Sequence, residues 1–323
     1  MYNATHVAVQ PDGKHLTTVS DTGEVAIHSF GEPERIIVMP SADEAEYGKV
    51  EDLSLDGLRY AVEGDPAHQI RLEDISSSPA PEVTLDGHRD NVRILSFDPS
   101  GDFLASTDGS EVIIWSAKDR AELRRIPLPE GYVATSLAVS PEGRYIATSS
   151  PDGKILLWDT TSNDRAKPLL VEGTASLTFS PDDRWLSIGS QNEIRLWNLD
   201  MGKFGPQRIP IPTSGTIKFS PNSTLLATSR LDSRASEVTV WNVRDAQIAG
   251  TVIADRFGYD GDSFAFTPDR AWLAVARQGV VLGPLAFDAP SALRHICRIT
   301  RGYLTEKEWN QHAPRYDYIA ACP

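Results

Sequence analysis

Positive charge is scarce in this sequence of 323 residues. It has 31 lysines and arginines against 45 aspartates and glutamates, which gives a formal net charge of −14. A protein that neutralises phosphates needs a basic face, and a long-range field of negative sign repels nucleic acid and anionic membranes. We therefore expect no nucleic-acid partner and no membrane partner, and we expect any partner to be neutral or basic.

Long apolar segments are also missing. No run approaches the roughly 20 residues that a membrane-spanning helix needs. The first residues, Met-Tyr-Asn-Ala-Thr-His-Val, form neither the basic nor the apolar part of a secretory signal. We expect a cytoplasmic location. Hydrophobic residues make up 40% of the sequence, so a large core can still be buried.

Linear catalytic motifs are absent from the sequence. It contains no Gly-x-Ser-x-Gly elbow, no glycine-rich phosphate loop followed by Lys-Ser or Lys-Thr, and no His-Glu-x-x-His. The seven histidines are scattered, and the two cysteines have neither a CxxC spacing nor a neighbouring histidine pair. The sequence accordingly predicts no catalytic residue, no metal ion and no cofactor.

A repeat runs through most of the chain. Segments such as Leu177–Leu186 and Leu137–Ile146 share one outline, in which an apolar stretch is followed by a proline and a second apolar stretch. The equivalent phase positions are Pro11, Leu55, Pro99, Pro141, Pro181, Pro221 and Pro268. Their spacings are 44, 44, 42, 40, 40 and 47 residues. Turn residues between the short apolar segments predict a succession of β-strands.

A period of about 40 to 45 residues with a Trp-Asp-like ending is typical of four-stranded propeller blades. Trp158-Asp159 supplies that dipeptide, and equivalent segments end at Trp115, Trp197 and Trp241. On these residues the sequence resembles the WD-repeat β-propeller family from about residue 4 to about residue 287. The resemblance implies an all-β fold, a seven-bladed β-propeller of four-stranded blades over residues 1–287. Its blades are expected to begin near residues 4, 50, 92, 133, 174, 215 and 262.

In the WD-repeat family a blade often carries a hydrogen-bonded set of Asp, His, Ser and Trp, and the third unit resembles it most. Its residues match in type, except that Asp108 lies one residue further from the tryptophan than the pattern asks. We assign structural roles to seven residues: His88, Ser106, Trp115, Asp152, Trp158, Trp197 and Trp241. A ligand or proton-relay role is the alternative for His88.

The first two units lack the tryptophan and have His28 and Glu73 in its place. We expect those two blades to pack less tightly there, and we expect the Glu73 side chain to face solvent.

After Phe287 the repeat ends and a helical pattern begins. Thr305 and Glu308 form a capping box, so residues 288–323 are predicted to be a short C-terminal helical tail packed on the propeller. The stretch Arg315–Ala321 is expected to supply or cover the outer strand of the last blade. Cys297 and Cys322 form either a disulfide or two free thiols, and both alternatives stay open.

The tail also resembles the C-terminal ending of bacterial multi-domain signalling proteins that carry WD-repeat propellers. The residues that carry this resemblance are Cys297-Arg298-Ile299, Leu304–Trp309, Tyr316 and Cys322-Pro323. It implies a sensor or recognition module of a bacterial signalling or defence system, with upstream effector domains in the same native polypeptide.

Propeller loops that enter the first strands gather on one face, and large aromatic and arginine side chains anchor interfaces. We therefore predict a non-enzymatic recognition or scaffold module for a protein or peptide partner. The predicted partner-binding residues are Tyr47, Arg89, Tyr132, Arg230, Arg234, Phe257 and Tyr259. The alternative is a propeller hydrolase or lactonase with its site in the central channel. Three or more carboxylate, Asn or His groups within metal-ligand distance there would favour that alternative.

Overall fold

The computed structural model describes residues 4–20, 25–29, 37–39, 51–54, 56–75, 82–161, 167–170, 176–190, 193–210, 216–231, 236–254, 264–267, 272–277 and 279–284. Within these residues the secondary structure is almost entirely antiparallel β-sheet. The one helical element described is a single 3-10 turn at Pro141–Gly143. Among the described residues, no helix has the length and apolar composition needed to cross a bilayer.

Six sheets have four strands each, and we call them blades 1 to 6. Blade 1 contains β1 (Ala4–Val9), β2 (His15–Ser20), β3 (Val25–Ser29) and β4 (Ile37–Met39). Blade 2 contains β5 (Glu51–Leu53), β6 (Arg59–Glu63), β7 (Gln69–Asp74) and β8 (Glu82–Asp86). Blade 3 contains β9 (Ile94–Phe97), β10 (Phe103–Thr107), β11 (Glu111–Ser116) and β12 (Ala121–Pro127).

The next three blades repeat this order. Blade 4 contains β13 (Ser136–Val139), β14 (Tyr145–Ser149), β15 (Lys154–Asp159) and β16 (Lys167–Leu170). Blade 5 contains β17 (Ser176–Phe179), β18 (Trp185–Gly189), β19 (Glu193–Asn198) and β20 (Lys203–Pro210). Blade 6 contains β21 (Ile217–Phe219), β22 (Leu225–Leu231), β23 (Ser236–Asn242) and β24 (Ile248–Ala254).

A further sheet has three strands among the described residues: β25 (Phe264–Phe266), β26 (Trp272–Arg277) and β27 (Gly279–Pro284). The all-β propeller is confirmed, but the prediction of seven four-stranded blades is wrong, because the structure has six. The repeat supplies the last sheet with three strands, and a fourth from the same unit would have to follow Pro284.

The C-terminal helical tail forms no part of the described structure. Residues 285–323 lie outside it, and with them the boundary at residue 288, Cys297, Cys322 and the stretch Arg315–Ala321.

The first strand of each blade is the innermost one. Contacts join β1 to β5, β5 to β9, β9 to β13, β13 to β17 and β17 to β21. The three-stranded sheet packs on blade 6 through Phe264 and Phe266. Its strands β25 and β26 contact β1, so the described sheets close into a ring. The first strands therefore surround a central channel.

Apolar side chains fill the space between neighbouring sheets. Between blades 3 and 4, for example, Val112 and Ile114 of β11 pack with Ile146 of β14 and Leu156 of β15. In β11 every residue from Val112 to Ser116 is buried. Because both faces of a blade are covered, these strands carry continuous apolar runs.

The turn between the first and second strands has one geometry in six units. The backbone carbonyl oxygen of the residue before the phase position accepts a hydrogen bond from the amide of the residue three positions later. This bond is found, for example, at Ser54, Asp98, Ser140, Ser180 and Ser220. That amide belongs to a residue with positive φ: Gly13, Gly57, Gly101, Gly143, Asp183 or Ser223. Glycine adopts this conformation without steric cost, which explains four of the six.

A side chain fixes the same turn in blades 2 to 6. The residue before the phase position is at most 1% exposed, and its side-chain oxygen accepts a hydrogen bond from the amide that begins the second strand. In blade 5, for example, the Trp185 amide donates to Oγ of Ser180 over 2.9 Å. These turns lie at the end of the ring opposite the loops that enter the first strands.

Candidate functional site

The central channel contains a cavity of about 290 Å³ lined by the first strands of blades 1 to 6. The titratable residues in its wall are His6, Asp52, Asp98 and Lys218, and the carboxylate of Asp98 is engaged in the turn that follows β9. Asp52 and Lys218 occupy the same position in their repeats, three residues before the phase position. We call the seven residues at this position the waist residues. The waist residues are Ala8, Asp52, Ser96, Ala138, Thr178, Lys218 and Ala265. Five of the seven are small, so the two charged side chains stand out in the channel.

Asp52 is held in place by backbone amides. Its Oδ1 accepts a hydrogen bond from its neighbour Leu53 over 2.9 Å, and its Oδ2 accepts one from Phe97 of blade 3 over 2.7 Å. Oδ1 also lies 3.9 Å from Nε2 of His6. Burial raises the pKa of Asp52, while the charges of His6 and Lys218 and the Phe97 amide oppose that change.

Lys218 has a different surrounding. Its Nζ lies 3.5 Å from the carbonyl oxygen of Val7 and 5.9 Å from the centre of the Phe264 ring. Burial lowers the pKa of the Lys218 ammonium, and the charge of Asp52 opposes that change. The channel thus holds an ammonium and a carboxylate that interact electrostatically, and the carboxylate already has amide donors.

The channel does not meet the criterion set for a hydrolase in the part that the structure describes. Among the described residues that line the channel, one imidazole and one carboxylate lie within 4 Å of each other, those of His6 and Asp52. The one group of three potential metal ligands found among the described residues is His88, Asp108 and Glu111, which lies within blade 3.

Blade 3 contains a buried polar network. Nε1 of Trp115 donates a hydrogen bond to Oγ of Ser106 over 2.8 Å, and the same Oγ lies 2.6 Å from Nε2 of His88. Nδ1 of His88 lies 3.4 Å from Oδ2 of Asp108, and neither of these two atoms has a well-aligned hydrogen bond. The predicted structural roles of His88, Ser106 and Trp115 are consistent with this geometry.

The carboxylate of Asp108 favours one histidine tautomer. Its Oδ2 faces Nδ1 of His88, which favours a proton on Nδ1, and in that neutral ring Nε2 accepts the hydroxyl proton of Ser106. Burial lowers the pKa of His88, although Asp108 opposes that change. Burial acts to raise the pKa of Asp108, but hydrogen bonds from Ser110 and the neighbouring histidine lower it to about 2.

The same atoms explain why a metal ion fits this group poorly. Oε1 of Glu111 contacts the guanidinium of Arg125, and Oδ1 of Asp108 accepts hydrogen bonds from the amide and hydroxyl of Ser110. The Arg125 cation beside Glu111 opposes a second cation there, and Oδ2 of Asp108 faces Nδ1 of His88 inside the blade. We therefore assign the group to the packing of the blade.

Gly87 completes the same corner. A Cβ at residue 87 would lie 2.8 Å from Cη2 of Trp115, which is closer than real contacts allow. The packing of Trp115 against residue 87 therefore leaves no room for a side chain at that position.

Other blades form shorter versions of the network at the position of Ser106. In blade 6, Nε1 of Trp241 donates to Oγ1 of Thr228 over 3.0 Å. In blade 4, the hydroxyl of Tyr132 lies 3.0 Å from Oγ1 of Thr148 and donates to the carbonyl of Lys154 over 3.3 Å.

In blade 1, Nε2 of His28 lies 2.9 Å from Oγ1 of Thr18, so a hydrogen-bonded pair forms without a tryptophan. The expectation that Glu73 faces solvent is wrong, since its side chain is 15% exposed and pairs with Nε of Arg71 at 3.0 Å.

The remaining structural residues have varied surroundings. Trp158 is buried among apolar side chains of blades 3 and 4. Trp197 packs edge-on against Phe204, with the Lys167 ammonium 4.7 Å from its ring centre. Asp152 shapes a turn, where its Oδ1 accepts hydrogen bonds from the Ser150 hydroxyl and the Lys154 amide.

The structure describes three of the seven predicted partner-binding residues. Arg89 is exposed in the loop that enters β9. Tyr132 is 9% exposed, which is not the position that an interface anchor requires. Arg230 belongs to β22 and pairs with Glu237 in the ladder. The others, Tyr47, Arg234, Phe257 and Tyr259, lie outside the described residues.

Sequence reasoning missed the channel pair. The available signal was the waist position itself, where an aspartate and a lysine replace the alanine, serine or threonine of the other units.

Comparison with known proteins agrees with this architecture. Three segments, residues 80–116, 123–159 and 172–198, match the profile of the WD domain, G-beta repeat family. The chain contains WD repeats. The first two segments each run from the outer strand of one blade through the first three strands of the next, so each repeat links two blades.

The chain is similar to several known proteins, some of which are named for WD repeats. WD repeat-containing protein 3 of Mus musculus is 27% identical over 178 residues, which are 49% of this chain and 19% of that protein. The small ribosomal subunit protein RACK1y of Oryza sativa subsp. japonica is 29% identical over 119 residues, 36% of this chain and 35% of that protein. The Protein LST8 homolog of Drosophila melanogaster is 30% identical over 190 residues, 54% of this chain and 59% of that protein. The chain therefore matches less than two thirds of the length of each relative.

Proposed function

We propose that this chain is a non-enzymatic scaffold that binds a protein or peptide through the loops that enter its first strands. The observation that carries the proposal is that the ring collects these loops at one end and that two neighbouring ones present exposed anchors. One relative is named as a small ribosomal subunit protein, so it acts within an assembly, which supports a scaffold function here.

The two anchors are Arg89 and Val133. Arg89 is exposed in the loop before β9, and Val133 is 52% exposed in the loop before β13. Because both loops enter first strands, they share one end of adjacent blades. Arginine is among the side chains enriched at the energetic centres of interfaces, and an exposed apolar side chain beside it adds surface that a partner can bury.

Tyr132 supports this surface from behind. Its hydroxyl is bonded to Thr148 and to the carbonyl of Lys154, which fixes the loop where Val133 projects outward. A preorganised loop loses less conformational entropy on binding. The predicted anchor Tyr132 thus has a supporting position beside the exposed one.

The experiment compares partners retained by the wild-type chain with those retained by Arg89→Ala/Val133→Ser. The matched control is Arg184→Ala/Met201→Ser, which also removes one exposed arginine and one exposed apolar side chain. Those two residues lie in turns between first and second and between third and fourth strands, at the opposite end of the ring.

Bound proteins from the native host are quantified by mass spectrometry against each immobilised variant. We expect specific partners to be lost from Arg89→Ala/Val133→Ser and kept by the control. Equal retention by all three chains would place the binding surface elsewhere.

We further propose that the chain is the sensor or recognition part of a cytoplasmic bacterial signalling or defence system, joined to upstream effector domains. The support is the resemblance carried by Leu304–Trp309 and Cys322-Pro323. Mass spectrometry of the native protein tests it, and we expect peptides from a polypeptide longer than 323 residues. A native product of this length alone would contradict the upstream domains.

A further inference from the structure

Lys218 is placed in the channel by strand alternation. It is the middle residue of β21, between Ile217 and Phe219, which are both buried in the packing between blades 5 and 6. Successive side chains of a strand point to opposite sides, so Lys218 faces the cavity, whose wall it forms.

Its ammonium has few partners among the described residues. It carries three N–H donors, and the hydrogen bond found for it is the 3.5 Å contact to the carbonyl of Val7, at the upper limit for such a bond. No described carboxylate lies within ion-pair distance of it. An enclosed charge with so few partners is costly unless another group satisfies it.

Asp52 does not fill that role. Its oxygens accept hydrogen bonds from the amides of Leu53 and Phe97, which anchor the carboxylate, and among the described residues it forms no ion pair with Lys218. At least two of the three Lys218 donors therefore have no partner among the described residues.

The cavity itself has room for a small group. A volume of about 290 Å³ corresponds to about ten water molecules at roughly 30 Å³ each. Besides the charged residues, the waist residues Ser96 and Thr178 add hydroxyl groups to its wall. The side chains of His6 and Asp52 are 28% and 25% exposed, so solvent-sized molecules reach the site.

We propose that the channel binds a small anionic group, a carboxylate or a phosphate, whose oxygens accept hydrogen bonds from the Lys218 ammonium. This site is separate from the loop surface of Arg89 and Val133. The anion is either a free small molecule or the C-terminal carboxylate of a peptide, since both present the same oxygens.

Calorimetric titration tests the proposal with four probes: inorganic phosphate, citrate, a tetrapeptide with a free carboxylate, and the same tetrapeptide with an amidated end. Binding to the wild type is expected to be at least about tenfold weaker in Lys218→Met, because hydrogen bonds to charged groups are among the strong ones. Lys203→Met removes an exposed lysine outside the channel and should leave affinity unchanged. Phosphate or citrate binding identifies a free anion, whereas binding of the acid peptide alone identifies a chain terminus.

Two further variants keep the test decisive if Lys218→Met folds poorly. Lys218→Arg keeps the charge and should retain binding. Asp52→Asn removes the neighbouring negative charge and should tighten binding several-fold. The proposal is overturned if no probe binds the wild type, if Lys218→Met binds as tightly as the wild type, or if Asp52→Asn binds more weakly.

Discussion

Substitution of Ser106 by alanine isolates the contribution of the blade 3 network. The hydroxyl of Ser106 accepts from Trp115 and is hydrogen-bonded to Nε2 of His88, and all three residues are buried. Alanine keeps the backbone and most of the volume. It leaves Nε1–H of Trp115 and Nε2 of His88 without partners, away from water.

The expected cost follows from those two atoms. A buried polar group that loses its partner costs about 1–3 kcal/mol, so two such groups lower the free energy of unfolding by about 2–4 kcal/mol after local relaxation. An unfolding entropy of about 2.1 cal/mol/K per residue over this chain makes each kcal/mol worth about 1.5 °C. The melting temperature should therefore fall by about 3–6 °C.

Blade 5 offers a matched control in Ser187. This serine is also fully buried in a second strand, but its Oγ has no hydrogen-bond partner in the structure. Ser187→Ala therefore removes an unpaired hydroxyl and should be neutral or stabilising. Both variants are compared by thermal melts and by urea unfolding. If Ser106→Ala costs no more than Ser187→Ala, the hydrogen bonds of Ser106 do not stabilise the blade.

Two more predictions concern the same corner. Gly87→Ala places a Cβ 2.8 Å from Trp115 and should lower the free energy of unfolding by about 1–3 kcal/mol, because the corner becomes overpacked. Urea unfolding measures this loss, and an unchanged midpoint would contradict the close contact. The pKa of Asp108 is about 2 in the fold and about 3.9 in an unfolded chain, so its stabilising contribution is present above about pH 4 and is lost as the pH falls toward 2. The stability difference between the wild type and Asp108→Asn should therefore shrink over that range in melts recorded from pH 7 to pH 2, and a constant difference would rule out the linkage.

The fold was predictable because each repeat contains short sequence patterns that indicate its strands and turns. The phase prolines and the tryptophan-ended strands set strand number and order in blades 3 to 6, where Pro141 and Trp158 lie as expected. The last sheet was not predictable in the same way. Its strand count depends on which segment pairs with β27, and pairing between distant segments leaves no periodic signal in the sequence.

The candidate site was less accessible to sequence reasoning. Tyr132 has the composition of an anchor, yet its hydroxyl finds Thr148 and its ring becomes buried, which depends on tertiary packing. Lys218 and Asp52 are over 160 positions apart in the chain, and only closure of the ring brings them to one channel. Glu73 is retained inside because Arg71, two residues away on the same strand, pairs with it.

The buried polar residue before the phase position constrains the turns at one end of the ring. The two ends of the ring therefore differ in how freely the sequence of their loops can vary. In blades 2 to 6 the hairpin register is set at one end, by a side-chain oxygen such as Oγ of Ser180 or Ser220. The loops between one blade's last strand and the next blade's first lie outside these turns. Foreign recognition loops could therefore be grafted there without disturbing the first hairpin, provided that residues which bond into the blade, such as His88 and Tyr132, are kept.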